Sequence, residues 1–174
     1  MSLITSHPRK KNDFYPTPEL AVIPLLPHLP ERATFHEPCA GAADLVNRLE
    51  SHGVRCVAQT DISPRASTVV RASANDLTSC KGDMFITNPP YLWKHLSVIM
   101  PHLYTMAPTW LLLPAAMMHN QRMSGHMRRC IRIVSVGRVQ WFKGSGAGTL
   151  DYAWYLFDAR RSGPAEFYGR NGAV

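Results

Sequence analysis

The chain is expected to fold as an α/β domain, with a doubly wound, mostly parallel sheet that ends in an antiparallel hairpin. Two patterns support this. Short apolar runs rich in Val, Ile, Leu and Phe alternate with amphipathic runs of helical period, and the last two apolar runs follow each other across the short Gly-rich link "KGSGAG". In such sheets ligands sit beyond the carboxyl ends of the strands, where the strand order reverses, so the residues just after each strand carry the functional information.

In chain order, residues 1–12, "MSLITSHPRKKN", read as a flexible basic arm. A short helix is expected in "ELAVIPLL", limited by Pro24 and Pro27. "ATFHEP" reads as the first strand. "DLVNRLESH" reads as a helix with Leu45, Val46 and Leu49 on one face and Gly53 at its end. "VRCVAQT" is the second strand, "PRASTVVRASA" is weakly helical, and "DMFIT" is the third strand. "LWKHLSVIMPHLYTM" should be helical up to a bend or break at Pro101. "TWLLLP" is a buried strand and "NQRMSGHMRRC" a polar helix or loop. "IRIVSVGRVQWF" and "LDYAWYLFDA" are the closing strands. The expected organisation is one catalytic-sized domain over 13–160, a tail over 161–174, and no separate target-recognition domain.

The 174 residues suffice for one core. Nineteen Lys and Arg against 12 Asp and Glu give a formal charge of +7 and a pI near 9.5, which favours a polyanionic partner. The four cysteines, Cys39, Cys56, Cys80 and Cys130, lack the spacing of a zinc or redox motif, so no metal is expected. No apolar run reaches the roughly 18 residues of a membrane span and the first residues do not resemble a signal peptide, so the expected location is the cytoplasm, with no membrane partner.

Three strand ends stand out. The first, "HEPCAGAADL", offers a small Gly-containing turn followed by a helix amino terminus, where a ligand can approach the backbone. The second ends at Asp61, 20 residues past Gly41, a spacing suited to a carboxylate that accepts from both ribose hydroxyls; the alternative is a turn or helix cap. No Walker-type lysine follows the Gly turn, which disfavours a nucleoside triphosphate. The third end, Asn88-Pro89-Pro90-Tyr91, combines an uncharged carbonyl acceptor, two residues of fixed φ without N–H donors, and an aromatic ring. Together these describe a socket for a planar molecule with an NH₂ group, such as adenine. Two acceptors on both amino hydrogens favour the tetrahedral nitrogen of an alkylation transition state.

"DFYPTP", "EPCAGAADL", "TDIS" and "TNPPY", in that order over 13 to about 158, resemble the class I S-adenosylmethionine-dependent amino-methyltransferases, and most closely the DNA adenine-N6 methyltransferases. "DYAWYLFD" is similar to the late antiparallel strand of small phage and prophage members. The resemblance implies a seven-stranded Rossmann-like sheet and S-adenosylmethionine as cofactor. It implies that Phe14, Tyr15, Pro16 and Thr17 wrap the methionine part, with Glu37, Cys39, Ala40 and Gly41 along it. Asp61 would hold the ribose, Ile62 would border the adenine, and Asp76 would accept its amino group, unless Asp76 is a surface loop carboxylate. Asn88 and the Pro89 carbonyl would hold the target amine, with Tyr91 stacked on the extruded base. The family usually has a second glycine where this chain has Ala43; a positive φ there would cost about 1–2 kcal/mol.

With so little chain outside the catalytic fold, Arg122, Arg128, Arg129 and Lys143 are the candidate nucleic-acid contacts, or else a solvated face. The expected activity is methylation of adenine in DNA with little or short sequence preference. A homodimer mate or partner subunit would be needed for more. The alternatives are an RNA or protein-glutamine amino-methyltransferase, or a non-catalytic subunit of a nucleic-acid-binding complex.

Overall fold

The computed structural model describes residues 15–142 and 148–170. Its strands are β1 (Thr34–Glu37), β2 (Arg55–Asp61), β3 (Val70–Arg71), β4 (Met84–Thr87), β5 (Thr109–Pro114), β6 (Cys130–Arg138), β7 (Asp151–Phe157) and β8 (Glu166–Tyr168). They form one sheet in the order β3-β2-β1-β4-β5-β7-β6-β8. β1 to β5 pair in parallel, and β7 inserts antiparallel between β5 and β6. The doubly wound sheet with an antiparallel hairpin is therefore present. It has eight strands, because Glu166–Tyr168 pairs in parallel with β6, aided by the Arg132–Glu166 ion pair at 3.0 Å.

β4 and β5 are buried along their whole length, as expected for central strands covered on both faces. One face packs α1 (Glu19–Val22) and α2 (Asp44–Ser51), with Leu45, Val46 and Leu49 of α2 inward. The end of α2 is set by Gly53 at φ 80°. Its N–H donates to Glu50 O, and that of Val54 donates to Leu49 O, which together satisfy two terminal carbonyls. The other face packs α3 (Trp93–Met106) and the segment after β5.

α3 continues through Pro101, where the sequence suggested a bend or break. Leu96, Met100 and Leu103 are fully buried, and this packing holds the helix across the missing N–H. Residues 64–74, read as weakly helical, instead form β3 and lead into a single 3₁₀ turn at Ala74–Asp76. The β-branched pair Val69-Val70 suits a strand, and pairing with Thr60 and Asp61 of β2 supplies the missing bonds. The segment after β5 consists of 3₁₀ turns at Ala115–His119 and Gln121–Met123, followed by α4 (Ser124–Met127).

The register of β1 against β4 fixes where the strand order reverses. Asp83 accepts from Thr34 N–H at 2.8 Å and from its hydroxyl at 2.7 Å. A Cβ on Gly82 would lie 2.9 Å from the backbone of Thr34 and Phe35, so only glycine permits this approach.

Candidate active site at the sheet switch point

The chain winds from β1 through β2 to β3 in one direction and from β4 to β5 in the other, so the crevice opens between the ends of β1 and β4. A cavity of about 460 Å³ lies there. Its wall includes Glu37 and the turn from Pro38 to Gly41 after β1, Asp61 and Ile62 after β2, and Asn88 and Pro90 after β4.

The turn after β1 is clamped to the end of β2. Ala40 N–H donates to Thr60 O at 2.9 Å, Gly41 N–H to Asp61 Oδ2 at 2.8 Å, and Arg65 N–H to Gly41 O at 2.9 Å. Ser63 N–H donates to the other oxygen of Asp61 at 2.6 Å. Each carboxylate oxygen keeps further acceptor capacity on the cavity side. Gly41 has φ 53° and Ala43 φ 66°, so the position where the sequence lacks a glycine is left-handed. Two bonds hold it there: Ala43 N–H to Ala40 O at 2.7 Å and Asn47 N–H to Ala43 O at 2.9 Å.

Glu37 is fully buried under the cavity floor. Its Oε1 accepts from Cys39 N–H at 2.9 Å, while its Oε2 has no hydrogen-bond partner. Burial pushes its carboxyl up to about 8; the Asp61 charge adds to this, and the Thr87 hydroxyl and the Cys39 N–H oppose it. By geometry Thr87 Oγ1 completes no hydrogen bond either, and of these two residues only Glu37 belongs to the cavity wall. Burial, and then the Glu37 charge, raise the Cys39 thiol, which keeps it protonated.

Asn88 is half-buried and its amide is held at both ends. Nδ2 donates to Thr17 Oγ1 at 3.2 Å and to Tyr15 O at 3.4 Å. Oδ1 accepts from the Tyr91 hydroxyl at 2.6 Å. The Tyr15–Thr17 segment is thereby tied to the end of β4 at the cavity wall. Tyr91 does not form part of the cavity wall; its ring packs 5.9 Å from that of Tyr152, and its hydroxyl orients Asn88. Pro89 is buried outside the wall, and Pro90 forms part of it.

Other expected residues fall elsewhere. Where Asp76 was expected, the wall is formed by Ser73, Ala74 and Asn75; Asp76 is exposed and outside it. A 3₁₀ turn decides this, with Ser73 Oγ accepting from Asn75 N–H at 3.2 Å. Pro16 is half-buried and does not reach the cavity. Phe14 and Lys143 lie outside the described residues.

The arginines are divided by the sheet. Arg122 sits over the Trp93 ring, 5.9 Å from its centroid, beside the crevice. Arg128 and Arg129 directly precede β6, whose first residue Cys130 faces Phe157, as does Thr109 at the start of β5. They therefore lie at the opposite edge of the sheet from the cavity. Arg129 is also tied to the carbonyls of Ala159 at 3.0 Å and Arg161 at 3.2 Å. Lys94, His95 and Ile99 of α3 also line the cavity, and sequence reasoning did not single them out. Their place directly after the "NPPY" exit was the available signal.

No model of a known protein family matches this chain, and no curated protein matches it in sequence. Among solved structures it resembles a Listeria monocytogenes protein whose provisional description is class I S-adenosylmethionine-dependent methyltransferase. The TM-score is 0.58 at 14% identity, over 94% of this chain and 67% of that one. The fold is that of the class I methyltransferases. Within this fold, the late antiparallel β7 stands where the sequence resemblance implied such a strand.

Proposed function

We propose that the chain transfers a methyl group from S-adenosylmethionine to the exocyclic amino group of adenine in DNA. The observation that carries this reading is Asn88, held at both ends of its amide at the wall of a cavity that also meets Asp61 and the Gly41 turn.

The donor set fits the cofactor. A cavity of about 460 Å³ is in the range for a molecule of that size. The vacant Glu37 Oε2 suits an ammonium, Asp61 suits a pair of hydroxyls, and exposed Ile62 offers an apolar face to a purine. Bound there, S-adenosylmethionine supplies a sulfonium methyl group as electrophile. The protein's part is orientation and acceptance of hydrogen bonds. An amide oxygen has two lone pairs, so the Tyr91 hydroxyl leaves one on Asn88 Oδ1 for an amino hydrogen. Withdrawing the hydrogens of the target amine into fixed acceptors favours the pyramidal nitrogen of the transition state over the planar ground state. No strong base is needed, because the amine becomes acidic as it is alkylated.

Labelled methyl transfer to adenine-containing DNA, RNA and a glutamine peptide, measured in parallel, tests the reading. Asn88→Ala should lower transfer by about 100- to 1000-fold, the loss typical of one oriented hydrogen-bonding group. Because Asn88 also anchors Thr17 and Tyr15, a modest weakening of cofactor binding should accompany it. Transfer by the variant at the wild-type rate would remove Asn88 from the mechanism. Methylation of the peptide alone would transfer the assignment to protein glutamine.

A further inference from the structure

The basic residues are not spread evenly along the chain. Of the 19 Lys and Arg, seven fall between Met84 and Leu150, a stretch with no Asp or Glu; the remaining 12 face all 12 acidic residues elsewhere. The formal +7 thus belongs to the half of the chain that starts at β4, while the part carrying β1 to β3 and the tail is balanced. Part of this charge is already committed: Arg132 to Glu166, and Arg129 to two carbonyls at the far edge. At the crevice edge, Lys94 on the first turn of α3 and Arg122 on the segment after β5 are exposed.

Between them stands Trp93, flanked in sequence by two residues of the cavity wall, Leu92 and Lys94. The Arg122 guanidinium lies over its ring, and the His126 ring meets it edge-on at 6.3 Å. Asn120 Oδ1 accepts from Arg122 N–H at 3.0 Å, fixing the turn that presents the arginine, and the Tyr104 hydroxyl and His126 Nδ1 are 2.9 Å apart. A guanidinium held over an indole beside a pocket for a planar base offers both parts of a strand-binding platform: a flat surface for stacking and a cation for phosphate.

We propose that Trp93, Arg122 and Lys94 form the docking platform for the polynucleotide strand that flanks the target base, so that the strand crosses the carboxyl edge of β4 and β5. This rests on the functional reading above and names where its polymer binds. It favours an unpaired or locally opened strand over an intact duplex, because stacking requires an exposed base face. DNA and RNA share this chemistry.

The full-length protein is titrated with thymine-only DNA and uracil-only RNA 12-mers, a blunt duplex of the same length, and poly-glutamate. None of the oligonucleotide single strands contains adenine, so binding is read independently of methyl transfer. Trp110, Trp154 and Trp141 are buried at 1%, 0% and 9% exposure, so strand-dependent quenching of indole emission reports chiefly on half-buried Trp93. The expected results are quenching by a single strand, affinity about tenfold weaker in Arg122→Ala, and no change in Arg128→Ala. Arg122→Lys should recover charge but only part of the affinity. Arg122 is exposed, so its variants test the platform even if Trp93→Leu fails to fold. Equal effects of Arg122→Ala and Arg128→Ala would overturn the platform, as would duplex or poly-glutamate binding as tightly as the single strands. Arg122-dependent strand binding without any methyl transfer would support the platform and count against the functional reading. Transfer that is insensitive to Arg122→Ala would overturn the platform alone.

Discussion

Replacing Ala43 by glycine separates two opposing effects at the turn after β1. The residue has φ 66° and ψ 19°, a left-handed conformation that costs an alanine about 1–2 kcal/mol relative to glycine. Its conformation is fixed by bonds to Ala40 and Asn47, so the strain cannot relax by a small rotation. Against this, its methyl group is 3% exposed within the core cluster beneath α2. Losing that burial costs about 0.8 kcal/mol. The freer unfolded chain of the glycine variant costs a further 0.5–1 kcal/mol, roughly. The terms nearly cancel, and Ala43→Gly should leave unfolding free energy within about 1 kcal/mol of the parent. Gly41→Ala adds the strain, at φ 53°, less the part returned by a stiffer unfolded chain, and should destabilise by roughly 0.5–1 kcal/mol. Urea denaturation with linear extrapolation measures both. A gain above about 2 kcal/mol for Ala43→Gly, or a loss of that size, would show that burial or backbone conformation at this turn is not as described.

The stability of the protein should depend on pH through two buried groups. His36 is held down to about 4, by burial and then by Lys81, and Glu37 is pushed up to about 8. Between the ordinary carboxylate and imidazole values the unfolded chain binds one more proton at His36 and one fewer at Glu37, so stability is nearly flat. Above about 6.5 only Glu37 contributes, and stability falls towards pH 8 with a slope approaching about 1.4 kcal/mol per pH unit. Glu37→Gln should abolish that fall and leave a rise between about pH 4 and 6.5, as seen in thermal melts across pH. Trp154→Phe removes the indole N–H bond to Ala21 O, 2.7 Å, between α1 and β7; denaturant unfolding should show a loss of about 2–3 kcal/mol. Thr17→Val keeps the volume but deletes the acceptor for Asn88 Nδ2. Transfer should slow about tenfold in kcat with the fold intact, and Thr17→Ser should restore it.

Most of the fold was legible because its signals are local. Apolar runs of strand length, the Gly53 stop of α2, the turn after β1 and the "NPPY" exit each depend on residues within a few positions of one another. The same holds for Asp61 and Gly41, whose spacing of 20 residues marks one strand-helix-strand unit and whose bond closes it. The backbone strain at Ala43 followed from counting to the place where a second glycine was missing.

The rest depends on which distant segments meet. β3 and β8 are strands of two and three residues, too short for a periodic pattern to mark them, and they exist because β2 and β6 offer unpaired edges. One 3₁₀ turn exchanges Asn75 for Asp76 at the cavity. Tyr91 supplies a hydroxyl to Asn88 rather than a wall to the pocket, because its ring is drawn against Tyr152 from the late hairpin. Arg122 and Arg128 are six residues apart in sequence and end at opposite edges of the sheet, since the chain must travel the length of β5 to begin β6. Sequence alone determined which chemical groups stand at the strand ends, because turn chemistry and side-chain periodicity are short-range. Only the tertiary structure decided which of them share a cavity, because that depends on strand pairing and register between segments far apart in the chain.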